Sequence, residues 1–457
     1  MKKICYVVGI AGASLDYSLP RIIKKGRVYA LVAAPISQEK IDVLTEFCVD
    51  VNIIPNLTSE LFDEASLELE IIEYANKINA DAIVTLDEFS VVAVSMAAEK
   101  LNLRGAGVNV KRSRNKFLMR ESFSEAGVPN PKYLKLTAAT DTSNLLKTLN
   151  TPFIIKVTEG AGSYCHTLIN RKSDFEIEFQ LLLDKVSTVG YDKSLGVVDS
   201  FRKPEFIAEE IIDATTDSWY EEPGYGNYVS VEGFVINGVY YPVSITSRLP
   251  TIPPFTETGL QTPCELSPFK RKLIENMARK AVDAMKLSCC GTHTEIKLLK
   301  DNKMCLIETA ARLPGASITM MVEDAFGVDL IGSLVELLLY GKSDSIPSTM
   351  IDSNYIQSTG SVALVPTDAS GRPWKTKPKL NKNIDISKII PKGVKYEVIW
   401  NKGLFDGQEV QSYDLKKGYF NFLGGVYLKA EKTHDIMLAQ LSILNNLEDL
   451  LNNSKDN

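Results

Sequence analysis

Thr292-His293-Thr294-Glu295-Ile296-Lys297-Leu298-Leu299-Lys300 runs into Asp301-Asn302 and returns as Lys303-Met304-Cys305-Leu306-Ile307-Glu308-Thr309. Asp and Asn tolerate positive φ better than most residues and suit a two-residue hairpin turn. With that turn Lys300 faces Lys303, Leu298 faces Cys305 and Glu295 faces Glu308. A four-residue loop over 300–303 gives the same register. Directly opposed residues have Cβ atoms about 4.5–5.5 Å apart, and like charges there repel. A divalent cation between the carboxylates removes the repulsion. Magnesium fits, because it takes carboxylate oxygens together with the phosphate oxygens of a nucleotide. The plain alternative is a solvated hairpin, which stays open for Glu295 beside Lys297. Glu308 sits instead in an apolar or small run, Cys305 to Ala311, where a carboxylate needs a partner. Arg312 follows, then Leu313-Pro314-Gly315-Ala316.

The chain around this hairpin has 457 residues, too many for one core, so two to four domains are expected. Hydrophobic residues at 45% and charged residues at 24% place it among soluble globular chains. A net charge of −6 argues against a nucleic-acid or anionic-membrane partner. No stretch reaches the roughly 18 apolar residues that span a bilayer. The seven cysteines are odd in number and lack zinc-site spacing, which reads as reduced thiols in a cytoplasmic protein. Only His166, His293 and His434 are present, which argues against a multi-histidine metal site. The apolar run Ile4 to Ala13 is broken by Gly9 and Gly12 and reads as a first buried strand, not a signal peptide.

Residues 1–110 alternate strand and helix, with continuous apolar strands at Ile4–Val8, Val28–Val32, Val51–Ile54 and Ala82–Thr85. That pattern predicts a parallel sheet covered on both faces, a Rossmann-like unit. Gly9-Ile10-Ala11-Gly12 lacks the full dinucleotide glycine pattern and reads as a tight turn. A second unit, 111–205, holds a helix over Asn115–Ala126 and a strand, Pro152–Val157, that ends near Lys156 before Glu159-Gly160-Ala161-Gly162-Ser163. A third, 206–345, starts with the apolar strand Phe206–Ile212, interrupted by Glu209 and Glu210. It continues through an Asn237-Gly238 hairpin, a strong turn signal. Helices at Pro268–Met285 and Leu330–Tyr340 bracket the glutamate hairpin. Residues 346–457 form a mixed extension with a final helix near Asp435–Asn452, packed so as to cover the site. The fold class is a multidomain α/β and α+β chain.

Lys116 and Lys156 both suit nucleotide phosphates, and backbone N–H groups of a glycine-rich loop cradle phosphate oxygens. A solvated lysine and a mobile loop are the alternatives. The Glu209-Glu210 strand offers backbone groups to an adenine edge, or is a plain edge strand. The order of lysine, lysine with glycine-rich loop, Glu-Glu strand, paired glutamates and arginine resembles the ATP-grasp superfamily of carboxylate–amine ligases. Within it the likeness is to the L-amino acid ligases, which form dipeptides. It is carried by Leu103-Arg104-Gly105-Ala106-Gly107-Val108, Phe206-Ile207-Ala208-Glu209-Glu210, Asp217-Ser218-Trp219-Tyr220 and Val229-Ser230-Val231-Glu232-Gly233. Phe255-Thr256-Glu257-Thr258, Thr292–Leu298 and Ile307–Arg312 complete it. It covers roughly residues 75–345.

The resemblance implies an ATP-grasp fold behind an N-terminal pre-ATP-grasp domain. It implies ATP as substrate and magnesium, with manganese as substitute, as the metal. Free L-amino acids are the partners, and a homodimer is left open. Lys116, Lys156, Gly162 and Ser163 match the phosphate-binding positions, and Glu209, Glu210 and Ile212 the adenine strand. Glu295 and Glu308 match the metal ligands. Arg312 matches the cation that steadies the acyl phosphate and tetrahedral intermediate. Glu257 would meet the amino group of the first amino acid, with Leu260, Gly315 and Ala316 shaping its pocket. Leu260 stands where bacilysin-type members have histidine, and Ala316 where they have tryptophan. The second change implies a larger pocket, open to side chains such as Met or Leu. A ligase for another acid–amine pair, a biotin carboxylase and a nucleotide-binding protein without activity are the competing readings.

Overall fold

The computed structural model describes the chain except residues 56, 58–61, 137–141, 161–165, 191–203, 254, 352, 416–417 and 454–457. Three sheets organise it. The first is parallel, in the order β3-β2-β1-β4, from β1 (Lys3–Val8), β2 (Arg27–Val32), β3 (Asp50–Ile53) and β4 (Ala82–Thr85). Alternation along β1 sends Ile4, Tyr6 and Val8 into one core and Cys5 and Val7 into another, so both faces are covered. The second core is closed by the helix Glu64–Ile78, whose Leu67, Ile71, Tyr74 and Ile78 recur at helical spacing. Its N-cap, Asp63, accepts the Ser66 N–H, and Asn79 ends it in the left-handed region at φ 53°.

The expected turn at Gly9–Gly12 is a packing device. Asp87 is buried and accepts the Ala11 N–H at 2.8 Å. A Cβ on Gly9 would lie 2.1 Å from the Asp87 carboxyl carbon, so only glycine lets the loop close there.

The second sheet is small and antiparallel, in the order β5-β8-β6-β7, from β5 (Tyr133–Leu136), β6 (Phe153–Val157), β7 (His166–Ile169) and β8 (Phe206–Glu210). The third has eight strands, in the order β13-β12-β9-β10-β11-β14-β16-β15. They are β9 (Tyr228–Ile236), β10 (Val239–Arg248), β11 (Gly259–Thr262), β12 (Cys290–Leu298), β13 (Met304–Ala310), β14 (Ser358–Leu364), β15 (Lys395–Trp400) and β16 (Gly424–Ala430). The Asn237-Gly238 turn has positive φ at both residues, 50° and 82°, and joins β9 to β10.

Pairing redraws two expected boundaries. β8 lies between β5 and β6, so the division at 205/206 falls inside the small sheet. β14 pairs with β11, so residues after 346 continue the large sheet. Backbone pairing carries no side-chain code, and neither join shows in composition. β8 is also an internal strand, which overturns the edge-strand alternative.

The glutamate hairpin differs near its tip. Leu298 pairs with Met304, not Cys305, because the ladder closes around Lys300–Asn302 with Leu299 N–H on the Lys303 carbonyl. Asp301 and Asn302 do take positive φ, 59° and 56°. A register shift between Glu295 and Ile296 then restores the expected facing of Glu295 and Glu308.

The helices Ile318–Phe326 and Leu330–Tyr340 pack onto β1 and the helix Leu15–Ile23 through Met321, Leu334, Leu19 and Ile22. One core thereby joins the parallel sheet to the large one. No helix among the described residues is long and apolar enough to cross a membrane. The six described cysteines are free thiols.

Candidate active site

Register across the large sheet assembles the site. Glu308 faces Glu295, Glu295 faces Ser230, and Ser230 faces Thr246. In the next row His293 faces Glu232, which faces Ser244. Opposed residues share a face, so these side chains form one polar patch on an otherwise buried sheet.

Burial disfavours an ionised Glu308, but Lys116 and Arg312 outweigh it and bring its carboxyl down to about 2. Lys116 Nζ stands 3.4 Å from Glu308 and donates to the Gly160 carbonyl at 2.9 Å. Asn115 accepts the Phe117 and Leu118 N–H groups, which starts the helix Lys116–Glu125 with Lys116 beside Glu308. Arg312 is held by Glu88 through its Nε and donates Nη1 to its neighbour's carbonyl, Leu313 O, at 3.0 Å. Glu88 also lies 3.6 Å from Arg114.

Sequence reasoning passed over the group behind Glu295. Glu232 is fully buried and accepts from Ser230 Oγ at 2.5 Å and Thr246 Oγ1 at 3.2 Å. His293 Nδ1 lies 2.7 Å from Glu232, and its Nε2 lies 3.5 Å from Glu295. Burial alone would discharge this imidazole, but Glu232 and Glu295 raise it from 6.5 to about 9. A buried glutamate at alternating spacing on β9, opposite a histidine on β12, was the available signal.

A pH dependence follows. Because folding raises the His293 pKa, its stabilisation is complete below pH 6.5 and lost as pH climbs through about 9. In metal-free buffer the thermal midpoint is expected to fall across that window by a few degrees. His293→Gln should flatten the slope, and an unchanged slope in that variant contradicts the pairing.

Glu257 accepts from Tyr228 Oη at 2.7 Å and from Arg248 Nε. Burial opposes its ionisation, but Arg248 and the Tyr228 hydrogen bond prevail and hold its carboxyl below the usual range. Arg248 is 1% exposed and Glu257 41%, so the carboxylate faces the cleft while its cation stays behind. Tyr413 donates to Thr256 at 2.9 Å, so the C-terminal extension braces the loop that carries Glu257.

Leu260 faces Arg248 across β10 and β11 and packs in the core with Phe234 and Met321. Gly315 approaches Gly12: a Cβ on it would lie 3.9 Å from the Gly12 Cα. Ala316 is exposed at φ 51°. Lys156 pairs with Glu209 at 2.6 Å. The backbone of Glu209 and Glu210 is engaged in the ladder, and the Glu210 carboxylate accepts the Lys132 N–H at 2.9 Å. Only beyond Glu210, at Ile211 and Ile212, does the chain leave the sheet. Gly162 and Ser163 lie outside the described residues.

Two opposed carboxylates with a lysine beside them suit magnesium, which is bound through one or two carboxylates plus phosphate oxygens.

No family model matches the chain. It superposes on the L-amino acid ligase from Bacillus licheniformis with a TM-score of 0.70 at 17% identity, covering 96% of both chains. The phosphoribosylglycinamide synthetase from Anaerococcus prevotii follows at TM-score 0.63, 14% identity and 97% of both chains. The chain has the ATP-grasp fold. In sequence the chain is 37% identical over 284 residues to an alanine–anticapsin ligase of Bacillus subtilis. It is 36% identical to one from Bacillus amyloliquefaciens. The match covers 62% of this chain and 59% of the length of each of those relatives.

Proposed function

We propose that the chain is an ATP-dependent carboxylate–amine ligase that joins two L-amino acids and releases ADP and phosphate. The observation that carries this reading is the facing of Glu295 and Glu308 with Lys116 and Arg312 beside them. Glu295 and Glu308 would hold magnesium, which supplies charge neutralisation at the transferring phosphate. Lys116 and Lys156 bind phosphate oxygens. Glu257 takes the ammonium group of the first amino acid and orients its carboxylate toward the γ-phosphate.

Attack of that carboxylate oxygen on the γ-phosphorus releases ADP and leaves an acyl phosphate. The amine of the second amino acid then adds to the acyl carbon. Arg312 steadies the oxyanion, phosphate departs with the C–O electron pair, and the amine loses its proton as the amide forms. The alanine–anticapsin ligases support this reading by sequence, and Ala316 widens the first pocket.

Phosphate release from ATP and magnesium across a matrix of paired L-amino acids, with mass spectrometry of products, tests it. Dipeptide masses are expected, with Met or Leu accepted in the first position. Ala316→Trp should restrict that position to Ala and Gly. Phosphate release with no pair, despite ATP binding, would replace this reading with a different acid–amine couple or a binding protein.

A further inference from the structure

The helix Lys116–Glu125 presents two cations one turn apart on the same face. Lys116 reaches Glu308, and Arg120 reaches Glu209, its Nε 2.9 Å from Oε1. Glu209 places its other oxygen 2.6 Å from Lys156 Nζ. The side chains are 1% exposed at Arg120, 4% at Glu209 and 17% at Lys156, so the chain of charges runs from the interior toward the cleft.

Packing does not explain a guanidinium here. A buried ion pair is often no more stabilising than apolar residues of the same volume. Arg120 is also poorly served as a structural group, since among the described residues its Nε and Nη1 have no well-aligned hydrogen-bond partner. Its contact with Glu209 acts chiefly through charge. Two cations and one carboxylate leave a single positive charge, and Lys156 is the member nearest the cleft. Without Arg120 the remainder would be a closed, neutral Lys156–Glu209 pair, with its lysine already satisfied.

We propose that Arg120 is a positioning residue of the nucleotide site: it neutralises Glu209 from behind and leaves the charge of Lys156 available to the phosphates of ATP. The assignment rests on the ligase reading above. It gives Glu209 a role distinct from the adenine contact expected of it, because its backbone is engaged on both sides.

The test compares equilibrium binding of ATP and of adenosine, which has no phosphates. Arg120→Met is expected to weaken ATP about tenfold and leave adenosine within about threefold. Adding Glu209→Gln to Arg120→Met should return ATP affinity to within about threefold of the unmodified chain, a coupling that lost packing would not produce. Should Arg120→Met fail to fold, the double variant is compared with Glu209→Gln alone. Equal ATP affinity is expected, since an uncharged residue 209 leaves Arg120 nothing to neutralise. Parallel losses for ATP and adenosine, an unchanged ATP affinity in Arg120→Met, or a tenfold difference in that last comparison would each overturn the assignment. An unmodified chain that binds neither ligand would overturn the ligase reading and this assignment with it.

Discussion

Replacing Glu308 by glutamine is expected to cut phosphate release by about a thousandfold or more, since it removes half of a two-carboxylate metal site. The fold should survive the change. Burial disfavours the Glu308 carboxylate, and Lys116, Arg312 and more distant cations hold it charged. The amide removes the charge while keeping the volume. The loss should therefore appear as reduced turnover far beyond any fall in the thermal midpoint, which drops at neutral pH because the amide lacks the stabilisation that the depressed carboxylate supplies. Initial rates at saturating ATP, magnesium and amino acids, measured beside a thermal unfolding curve, decide the matter. A variant within tenfold of the unmodified rate would remove Glu308 from the metal site.

Arg312→Met should lower kcat by about a hundredfold to a thousandfold with little change in KM for ATP, the signature of an interaction made mainly in the transition state. The structure explains why the arginine is ready for that task. Glu88, at the end of the parallel sheet, holds its Nε, and Leu313 O takes Nη1. A guanidinium fixed in this way needs no reorganisation when charge develops on the substrate. Glu88→Gln should give a smaller loss in the same parameter, because it loosens the arginine without removing it. Steady-state kinetics on both variants check this. A rise in KM with kcat intact would make Arg312 a ground-state binding residue instead.

These two expectations differ in how they could be reached. The facing of Glu295 and Glu308 was readable because both lie on one hairpin, where register depends on a few neighbouring residues. Even so, it came out right for a partly different reason: the tip closes one residue earlier, and the shift beside Glu295 makes up the difference. The clamp on Arg312 could not be read, since Glu88 lies 224 residues away along the chain. The same holds for Glu232 and His293, 61 residues apart, whose pairing depends on β9 lying beside β12. Glu209 shows the reverse fault. Its place on an apolar strand was plain, but only the strand order shows that its backbone is engaged, and only the fold pairs its side chain with Lys156 and Arg120.

Local physics, then, was enough for the helix limits at Pro268–Met285 and Leu330–Tyr340, the Asn237-Gly238 turn, the parallel first sheet and the facing of Glu295 and Glu308. Each rests on periodicity, turn chemistry or neighbours a few residues apart, which the residues themselves encode. Tertiary structure alone decided which strands join which sheet, and so where the units divide. It also decided which buried charges meet: Glu88 with Arg312, Glu232 with His293, Arg120 with Glu209 and Lys156. The reason is physical. Backbone hydrogen bonds are the same for every sequence, and a buried charge selects its partner by distance in space, which separation along the chain does not reveal.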